Sequence, residues 1–545
     1  MIKRILLIWP YYVKKITDKS VAAQASYKFI SPRFPLGIAY CAAFLEKNGY
    51  DVRILDCFAQ NPEEIMQGDT VRAGMTDDEI IDYINDFDPQ VVGVSQMFSY
   101  LEPVCKSIFK LVKNIDPKII TLWGGTHPTV EAESCLSDNN VDYIIMGEGE
   151  APILELIKRL NNKESVQGMP SLAYVNEFGQ SNISTERLWI DDLDDHVLPE
   201  RNKLDLTRYT SFNSSSIAGE TGEKTFNMVT SRGCPFACTF CSAPTFYQKR
   251  YKGRSAECVV DEMELLINEY GAEVILVEDE NITVEKKRLE AIMDEMIRRE
   301  IKVKWNAEAG LTIAYLDLNL ITKMKQTGFI ELRLALESGD AEMLKKMKKP
   351  LVLKKARKVV KEAREAGMRC VSFLLMGMPG ETIEQMQNTV DFAEEIGFDW
   401  NIISMVLPLP GTEIHRDLIA GGGHFEFEDL ERYTLPVEGV SAISSDKLSA
   451  FRENANNRLN FEKNFNLTQG DARLAIKDFK DLSTRYEFLP KIWYHLGLAY
   501  EKINDLDNAQ LAFLKAYSID PKYKDVSSLI SNKKQSLDSQ KLRVN

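Results

Sequence analysis

The sequence predicts an α/β protein that ends in a small all-α region. Short apolar runs alternate with amphipathic segments over residues 1–160, and the same alternation resumes over residues 216–425. Helical periodicity alone continues over residues 426–545. Residues 161–215 are polar and irregular, with a Ser/Asn-rich patch at 211–216, which is typical of a linker. A chain of 545 residues is long enough for several domains with large cores.

In residues 1–160 each predicted strand is followed by a predicted helix, and Gly49 marks the end of the first helix. This alternation predicts a Rossmann-like parallel sheet covered by helices on both faces. Ligands of such sheets bind beyond the carboxyl ends of the strands. The predicted strands are 4–8, 51–56, 91–95, 119–123 and 143–146, and the predicted helices include 36–48, 76–87 and 101–114.

Residues 216–425 contain six further strand–helix pairs. They predict a partial (β/α)6 barrel, shorter than the closed eight-fold form, with its chemistry at the carboxyl ends of the strands. The predicted strands are 226–230, 274–278, 302–305, 331–336, 369–376 and 401–407, and the predicted helices include 256–269, 284–299, 318–327, 354–366 and 383–396.

The composition, with 44% hydrophobic and 27% charged residues, is ordinary for a globular protein. A formal net charge of −14 argues against nucleic acid as a partner. No apolar stretch approaches the ~20 residues that span a bilayer, so no transmembrane segment is predicted. The nine cysteines are mostly scattered singly, which does not fit a disulfide framework and predicts a cytoplasmic location.

Three cysteines, Cys234, Cys238 and Cys241, lie at C-x3-C-x2-C spacing after a short apolar run. Thiolates are the usual protein ligands of iron–sulfur clusters, and four irons normally need four of them. Three thiolates on one loop therefore leave one iron open for a substrate or cofactor. The alternatives are three incidental cysteines or a zinc site, which would need a fourth Cys or His nearby. The next cysteine, Cys258, lies in a helical pattern, and no histidine is close.

This loop, with Phe240 just before its last cysteine, resembles the cluster loop of the radical S-adenosylmethionine (SAM) superfamily. The resemblance implies a [4Fe–4S] cluster on the three cysteines, with SAM chelating the fourth iron and Phe240 among the SAM-binding residues. Reductive cleavage of SAM then gives a 5′-deoxyadenosyl radical. The resemblance also implies an electron donor such as flavodoxin or ferredoxin.

Glu278, Asp279 and Glu280 follow the second predicted strand of the barrel. Such residues also occur in solvated loops, but a cofactor with a free ammonium group needs a carboxylate acceptor, and charge-assisted hydrogen bonds are the stronger kind. In the resemblance, this segment matches the motif that holds the methionyl amine of SAM.

Glu337 ends the fourth predicted strand of the barrel, where an unpaired carboxylate is costly, and Ser338 follows it. The two residues match the family's E-S-G motif, which implies contact with the ribose or the methionyl group of SAM. The alternative is a solvated Glu337 or an ion pair with a core arginine such as Arg333. Gly377 and Gly380, after the fifth strand, let an adenine or ribose ring lie against the backbone.

Two further motifs follow in the barrel. Thr382 and Gln385 have the form of a capping box, which predicts the start of a helix. Residues 408–412 resemble the P-x-P-G-T element that closes the core in the cobalamin-dependent subgroup of the superfamily. Motifs in this order are far more specific together than any one of them alone.

Ser95, Gly124, Gly125 and Gly147 follow predicted strands of the first domain. Glycine at a strand end lets the backbone approach a bulky ligand, although tight turns alone would also explain these glycines. The domain resembles the cobalamin-binding domain that precedes the radical SAM core in one large subgroup. The resemblance implies that these four residues line the slot for the nucleotide tail of cobalamin.

The D-x-H-x-x-G motif of other cobalamin enzymes is absent after Ile8. His196 lies in the wrong place for it and is interpreted as a surface histidine of the linker, whereas His127 is interpreted as a turn or hydrogen-bonding residue. The cobalt would then have no histidine below it, which the resemblance allows. A radical SAM enzyme whose first domain has lost cobalamin remains a further hypothesis.

The tail contains the signature positions of a 34-residue tetratricopeptide repeat. One repeat buries little surface alone, so it packs on the core or on a protein partner. Of these two interpretations, a structural cap on the barrel is favoured slightly over an interaction module. Residues after 531 are polar and predicted to be frayed. The signature residues are Trp493, Leu496, Gly497, Tyr500, Ala509, Phe513, Ala516 and Pro521.

The resemblance implies a methyltransferase that uses a 5′-deoxyadenosyl radical and methylcobalamin to methylate an unactivated carbon of a small molecule, peptide or lipid. The alternatives are a radical SAM oxidoreductase, cyclase or ring-rearranging enzyme, or a non-catalytic corrinoid-binding sensor. No catalytic side chain is assigned. The cysteines outside the cluster loop are predicted to be core residues; they are Cys41, Cys57, Cys105, Cys135, Cys258 and Cys370.

Overall fold

The structure is a computed structural model that describes residues 1–15, 32–62, 64–67, 70–210, 223–427, 430 and 433–526. The Ser/Asn-rich patch at 211–216 and the segment after 531 lie outside the described residues. In the part that is described, no helix combines the length and the apolar character needed to cross a bilayer.

Strands and helices alternate along both predicted α/β regions. In chain order the strands are β1 (Arg4–Trp9), β2 (Tyr12–Lys15), β3 (Asp51–Asp56), β4 (Glu64–Gln67), β5 (Thr70–Ala73), β6 (Val91–Ser95), β7 (Ile120–Gly124), β8 (Tyr143–Ile145), β9 (Leu172–Val175), β10 (Ser181–Ile183), β11 (Thr225–Met228), β12 (Ser231–Gly233), β13 (Tyr251–Gly253), β14 (Val274–Val277), β15 (Lys304–Ala307), β16 (Glu331–Glu337), β17 (Arg369–Met376) and β18 (Trp400–Met405). The longer helices are Leu36–Lys47, Asp77–Phe87, Glu102–Ile115, Glu150–Asn162, Ala256–Asn268, Lys286–Arg298, Leu318–Gln326, Ala341–Lys346, Leu353–Glu365, Ile383–Ile396, Glu413–Ala420, Ser445–Asn457, Ala472–Arg485, Pro490–Lys502 and Leu506–Ile519.

The first domain is a seven-stranded sheet in the order β10-β9-β8-β7-β6-β1-β3. Strands β3, β1, β6, β7 and β8 are parallel, as the alternation predicts, and helices cover both faces. The sheet then continues into the segment assigned to the linker, because β9 pairs antiparallel with β8 and β10 with β9. Leu172 and Ala173 of β9 are buried. The prediction of an irregular 161–215 is therefore wrong for these two strands.

The second domain is the predicted partial barrel. Its six parallel strands form two three-stranded sheets, β11-β14-β15 and β16-β17-β18. Parallel bridges from Trp305 to Phe329 and from Leu311 to Leu334 join the two sheets. The capping box is also confirmed, since Thr382 and Gln385 bond reciprocally at the start of helix Ile383–Ile396. The α/β fold class, with a Rossmann-like domain and a six-stranded barrel, is confirmed.

The helical tail covers the open edge of the barrel at β18. The side chain of Asn460 accepts a hydrogen bond from Asn401 N at 2.8 Å and donates one to Asn401 O at 2.7 Å, as a neighbouring strand would. Arg452 Nε donates to Ile403 O at 2.9 Å. An uncovered edge strand exposes unpaired backbone groups that invite aggregation, so this cover stabilises the sheet.

The tail also shares a hydrophobic core with the barrel. Val371 of β17 and Trp400 of β18 pack among tail residues, and Arg369 pairs with Asp478 at 2.8 Å. The structure therefore supports the interpretation of the tail as a cap. The tail residues of this core are Phe461, Leu467, Ala475, Ile476, Phe479, Ile492, Leu496, Ala499, Tyr500, Ala509, Ala512, Phe513, Ala516 and Val526.

Candidate functional site

The carboxyl ends of the first sheet and of the barrel face a common cavity of about 820 Å³. This volume is within the usual range of ligand pockets, roughly 300–1,000 Å³. The cavity is lined from one side by the first domain and from the other by the cluster loop and strand ends of the barrel. The predicted site residues that line it are Ser95, Gly124, Gly125 and Gly147 from the first domain and Cys241, Glu278 and Glu280 from the barrel.

The first-domain rim of the cavity combines large apolar side chains, such as Trp9 and Phe58, with glycines at strand ends. Gly125 has φ +109°, and a Cβ there would lie 2.3 Å from Gln96 O, so only glycine fits. A Cβ on Gly124 would meet no neighbour closer than 4.0 Å. Gly124 therefore leaves open space beside the cavity, which suits a bulky planar ligand such as a corrin.

His127 does not point to a metal. Its imidazole is buried, with Nδ1 3.0 Å from Ser99 Oγ and Nε2 3.1 Å from Glu102 Oε2. The prediction of a hydrogen-bonding residue is confirmed. His127 therefore does not replace the histidine of the missing D-x-H-x-x-G motif.

The three predicted cluster cysteines lie on the loop between β12 and β13 and are partly buried. None forms a disulfide. Burial raises the pKa of Cys234, Cys238 and Cys241, that of Cys241 to about 12. Because a thiolate is the form that binds iron, bound metal has to supply the positive charge that lowers these pKa values.

Across the described ranges, no three His, Cys, Asp or Glu side chains come close enough together to hold a single metal ion. That finding concerns one ion. A four-iron cluster takes one thiolate on each of three irons and is held by thiolates in other proteins. The donor set of three unpaired thiols beside a cavity fits such a cluster, with the fourth iron left for a ligand in the cavity.

The start of the cluster loop is fixed by two of the four predicted SAM-binding carboxylates, Asp279 and Glu280. Asp279 is buried and accepts hydrogen bonds from Thr230 N and from the hydroxyls of Thr230 and Ser231. Glu280 accepts from Gly233 N at 2.8 Å and from the Tyr247 hydroxyl. Asp279 does not line the cavity, so its observed contacts are structural.

Gly233 explains the geometry just before Cys234. Its φ is +85°, and a Cβ there would lie 2.2 Å from the carbonyl oxygen of Arg250, the residue just before the paired strand β13. Only glycine allows the two strands to approach this closely. The first cluster cysteine is therefore placed by a backbone position that tolerates no side chain.

Glu278 lines the cavity and is paired with a residue of the first domain. Arg33 Nη1 lies 3.0 Å from Glu278 Oε1, and Arg33 Nη2 lies 3.1 Å from Glu308 Oε2. The two carboxylates hold one guanidinium between the second and third barrel strands. A pair of carboxylates that binds one cation can bind another, so this position also suits an ammonium group.

Glu337 has a partner within the protein, but it is not the arginine that the alternative interpretation named. Lys349 Nζ donates to Glu337 Oε1 at 3.0 Å, whereas Arg333 pairs with Glu331 and Glu308. The interpretation of Glu337 as a partner of Arg333 is wrong, because the arginine is already held between two other carboxylates. Burial acts to lower the pKa of Lys349, but Glu337 and the nearby Cys238 outweigh it and raise this pKa.

The remaining predicted SAM residues lie on the barrel side but do not line the cavity. Ser338 is buried, with Oγ 3.0 Å from Thr389 Oγ1, and Phe240 packs at the edge of a hydrophobic cluster. Gly377 N donates to Glu381 Oε2 at 2.8 Å, and Gly380 O accepts from a lysine at 3.3 Å. Their roles in SAM binding stay predictions.

A buried charged network that the sequence did not predict joins the two domains. Arg232, two residues before Cys234, donates to Glu150 Oε1 at 2.7 Å and lies 3.5 Å from Glu148 Oε1. His196 Nε2 lies 3.2 Å from the same Glu150 oxygen, and its side chain is 3% exposed. The interpretation of His196 as a surface residue is therefore wrong. Burial acts to raise the pKa of Glu150, but Arg232 and His196 outweigh it and bring this pKa to about 2.

Comparison with known proteins agrees with this architecture. Residues 29–157 match the B12 binding domain, residues 228–393 the Radical SAM superfamily and residues 490–523 a tetratricopeptide repeat. Cytidylyl-2-hydroxyethylphosphonate methyltransferase of Streptomyces wedmorensis is 31% identical over 432 residues, which cover 74% of this chain and 80% of the relative. The chain belongs to the cobalamin-dependent radical SAM enzymes. The predicted family and its cofactors, cobalamin, SAM and a [4Fe–4S] cluster, are confirmed.

More distant members of the family differ in their named reactions. Anaerobic magnesium-protoporphyrin IX monomethyl ester cyclase of Rubrivivax gelatinosus is 24% identical, covering 76% of this chain and 71% of the relative. Hopanoid C-3 methylase of Methylococcus capsulatus is 26% identical, covering 70% of this chain and 67% of the relative.

Two solved structures share the fold. The radical SAM methyltransferase TsrM of Kitasatospora setae, with cobalamin and a [4Fe–4S] cluster bound, has a TM-score of 0.61 at 18% identity, covering 76% of this chain and 78% of that chain. The cobalamin-dependent radical enzyme OxsB, with aqua-cobalamin and SAM bound, has a TM-score of 0.60 at 16% identity, covering 98% of this chain and 75% of that chain. At these identities the comparison concerns the fold alone.

Proposed function

We propose that this enzyme is a methyltransferase that transfers a methyl group to an unactivated carbon of its substrate. The observation that carries the proposal is the single cavity shared by the glycine rim of the first domain and by the cluster loop. When bound there, the cluster and SAM supply a carbon-centred radical, and cobalamin carries the methyl group. The shared space would place a substrate carbon next to both cofactors.

In this proposal the residues of the chain bind and orient. Cys234, Cys238 and Cys241 hold the cluster. The carboxylates of Glu278 and Glu280, at the end of the second barrel strand, accept the methionyl ammonium group of SAM. Glu337 and Ser338 face the methionyl or ribose part of SAM, and Phe240, Gly377 and Gly380 border it. Ser95, Gly124, Gly125 and Gly147 receive the nucleotide tail of cobalamin.

The test uses protein reconstituted anaerobically with iron, sulfide and cobalamin, then reduced in the presence of SAM without a substrate. Release of about one S-adenosylhomocysteine per bound corrinoid is expected, because the corrinoid is then the only methyl acceptor. With candidate substrates, S-adenosylhomocysteine and 5′-deoxyadenosine are expected together.

Three other outcomes would contradict methyl transfer. Formation of 5′-deoxyadenosine without S-adenosylhomocysteine would indicate an oxidative or ring-forming reaction instead. Absence of both products, with cluster and corrinoid present in full, would indicate a corrinoid-binding sensor. Protein that takes up no corrinoid would indicate a first domain that has lost this cofactor.

A further inference from the structure

One segment of the barrel has a charge opposite to that of the whole protein. Residues 345–358 contain eight Lys and Arg residues and no Asp or Glu, in a chain with a formal net charge of −14. The segment begins at the end of helix Ala341–Lys346 and continues into helix Leu353–Glu365. This helix pair follows β16, so the segment lies at the carboxyl end of the barrel, where the candidate site is.

The segment touches the cluster loop directly. Thr239, which follows the cluster ligand Cys238, donates its backbone N–H to Met347 O at 3.2 Å. Lys349 lies beneath the same turn, where it pairs with Glu337, and its charge acts on Cys238 and Cys241. A protein that rests on this turn would therefore contact the segment that is hydrogen-bonded to the cluster loop.

The residues of the turn divide sharply into an inner and an outer set. Met343, Leu344 and Met347 are buried, whereas the neighbouring lysines face solvent. Val352, between the two helices, is 70% exposed. We call the outer set the lysine surface; it consists of Lys345, Lys346, Lys348, Val352 and Lys354.

Protein–protein interfaces combine an apolar centre with a polar, solvent-accessible rim, and exposed Val352 with the lysines around it has this arrangement. Lys348 is paired with Glu413, and both side chains are largely exposed, so this contact contributes little and can be exchanged for a partner's carboxylate. Positive charge confined to one face of an acidic protein steers an acidic partner to that face.

We propose that the lysine surface is the docking site of an acidic one-electron carrier protein. The proposal rests on the proposed function, because only a reductive reaction at the cluster needs such a donor. In each encounter one electron leaves the reduced flavin or iron–sulfur centre of the carrier and enters the oxidised cluster. The carrier is oxidised by one electron, the cluster is reduced by one electron, and no atom is exchanged.

The experiment measures the rate of cluster reduction from the loss of the cluster's visible absorbance after anaerobic mixing. Reduced flavodoxin and dithionite are used in separate reactions. The test variant carries Lys345→Glu, Lys348→Glu and Lys354→Glu. Lys346 is kept, because its Nζ donates to Gly380 O at 3.3 Å. The matched control carries Lys3→Glu, Lys47→Glu and Lys118→Glu, three exposed lysines near the amino-terminal edge of the first sheet, which is the edge opposite the cavity.

The expected result is a fall of at least tenfold in the second-order rate with flavodoxin for the test variant and an unchanged rate with dithionite. The control variant is expected to match the wild type with both reductants. Salt should slow the wild type with flavodoxin and leave the test variant nearly unaffected, because the Debye length falls from about 10 Å at 0.1 M to about 3 Å at 1 M. Val352→Asp, which changes one side chain, is expected to weaken the reaction with flavodoxin alone.

The outcomes separate this proposal from the proposed function. Equal rates with flavodoxin for the test variant and the wild type would overturn the docking site, even if methyl transfer is correct. A second outcome would overturn methyl transfer and leave the docking site intact. In it, flavodoxin reduces the wild-type cluster faster than that of the test variant, but the wild type forms no S-adenosylhomocysteine.

Discussion

The two sides of the cavity are built in different ways. On the first-domain side the lining is mainly uncharged, and Gly124 leaves open space at a strand end by having no side chain. On the barrel side the lining includes the carboxylates of Glu278 and Glu280, and each already has a partner within the protein. The comparison shows two ways to prepare a cofactor site. One leaves room, and the other keeps charges paired until a ligand takes over the contacts.

This difference also suits the two kinds of ligand. A corrin is large and is recognised mainly by shape, so an open glycine rim serves it. The methionyl group of SAM is small and charged, and a buried carboxylate that waited for it without a partner would destabilise the protein. Substitutions on the two sides should therefore have effects of different kinds.

The largest effect is expected from removing a cluster ligand. Cys241→Ala should abolish both cluster assembly and SAM cleavage, because three thiolates are the minimum for the proposed site. Iron content and visible absorbance after anaerobic reconstitution check the first effect. Cys258→Ala, in helix Ala256–Asn268, is the control and should keep both. Normal turnover of Cys241→Ala would show that the cluster loop is not the site of the cluster, and the barrel side of the cavity would then not be a cofactor site.

The next effect concerns the network between the two sides. Arg232→Met leaves Glu148 and Glu150 buried without their cation, which should lower the free energy of unfolding by about 3–5 kcal/mol. Urea unfolding of the cofactor-free protein measures it. Arg250→Met, which removes a pair with the 91% exposed side chain of Asp191, should change it by less than about 1 kcal/mol. Equal losses for both variants would show that the buried network does not join the domains.

On the first-domain side of the cavity, Gly124→Val should weaken corrinoid binding about a hundredfold, because overpacking costs about 1–3 kcal/mol. The melting temperature of the corrinoid-free protein should stay the same, since a Cβ there meets no protein atom closer than 4.0 Å. Equilibrium dialysis with hydroxocobalamin gives the affinity. Unchanged affinity would mean that the corrin lies elsewhere.

On the charged side, opposite changes are expected from two partners of one ion pair. Glu278→Gln should weaken SAM binding about tenfold, since a hydrogen bond to a charged group contributes about 1.5–3 kcal/mol. Arg33→Gln should strengthen SAM binding, because the guanidinium no longer competes for Glu278 and Glu308. Calorimetric titration of the reconstituted protein with SAM distinguishes the two. A loss in both variants would indicate that Arg33 helps to bind SAM.

The smallest effect is on pH dependence. Burial raises the pKa of Glu381 from its ordinary value of 4.5 to about 7. The folded state therefore binds more protons than the unfolded state between these values, so the stability contributed by this carboxyl is present below pH 4.5 and lost as pH rises through about 7. Glu381→Gln should remove about 1 kcal/mol of this loss between about pH 5.5 and 7. Melting curves against pH measure it, and an unchanged slope would assign the effect to another group.

Most of the fold could be predicted from the sequence because parallel strands and their helices give long, regular hydrophobic patterns. Strands β9 and β10 were missed, since four and three residues at the edge of a sheet give no such pattern. The cluster loop and the glycine rim were predicted because fixed spacing and glycine are local signals. Both lie at the cavity.

The partners of the site residues were not predictable in the same way. Nothing local distinguishes Lys349 from the lysines around it, although only Lys349 turns inward to Glu337. His196 was predicted to be exposed because it lies in the linker, yet it pairs with Glu150, 46 residues earlier in the chain, and its side chain is buried. Both pairs depend on tertiary packing between residues that no local pattern connects.

The side-chain amide of Asn460 limits where this enzyme can be truncated. Because this side chain hydrogen-bonds to the edge of β18, the last barrel strand, the barrel needs the tail to complete its structure. A shortened version that stops before Ser445 would keep every cofactor ligand named above and still present a bare sheet margin to other molecules. Its recovery as insoluble material would say nothing about the chemistry.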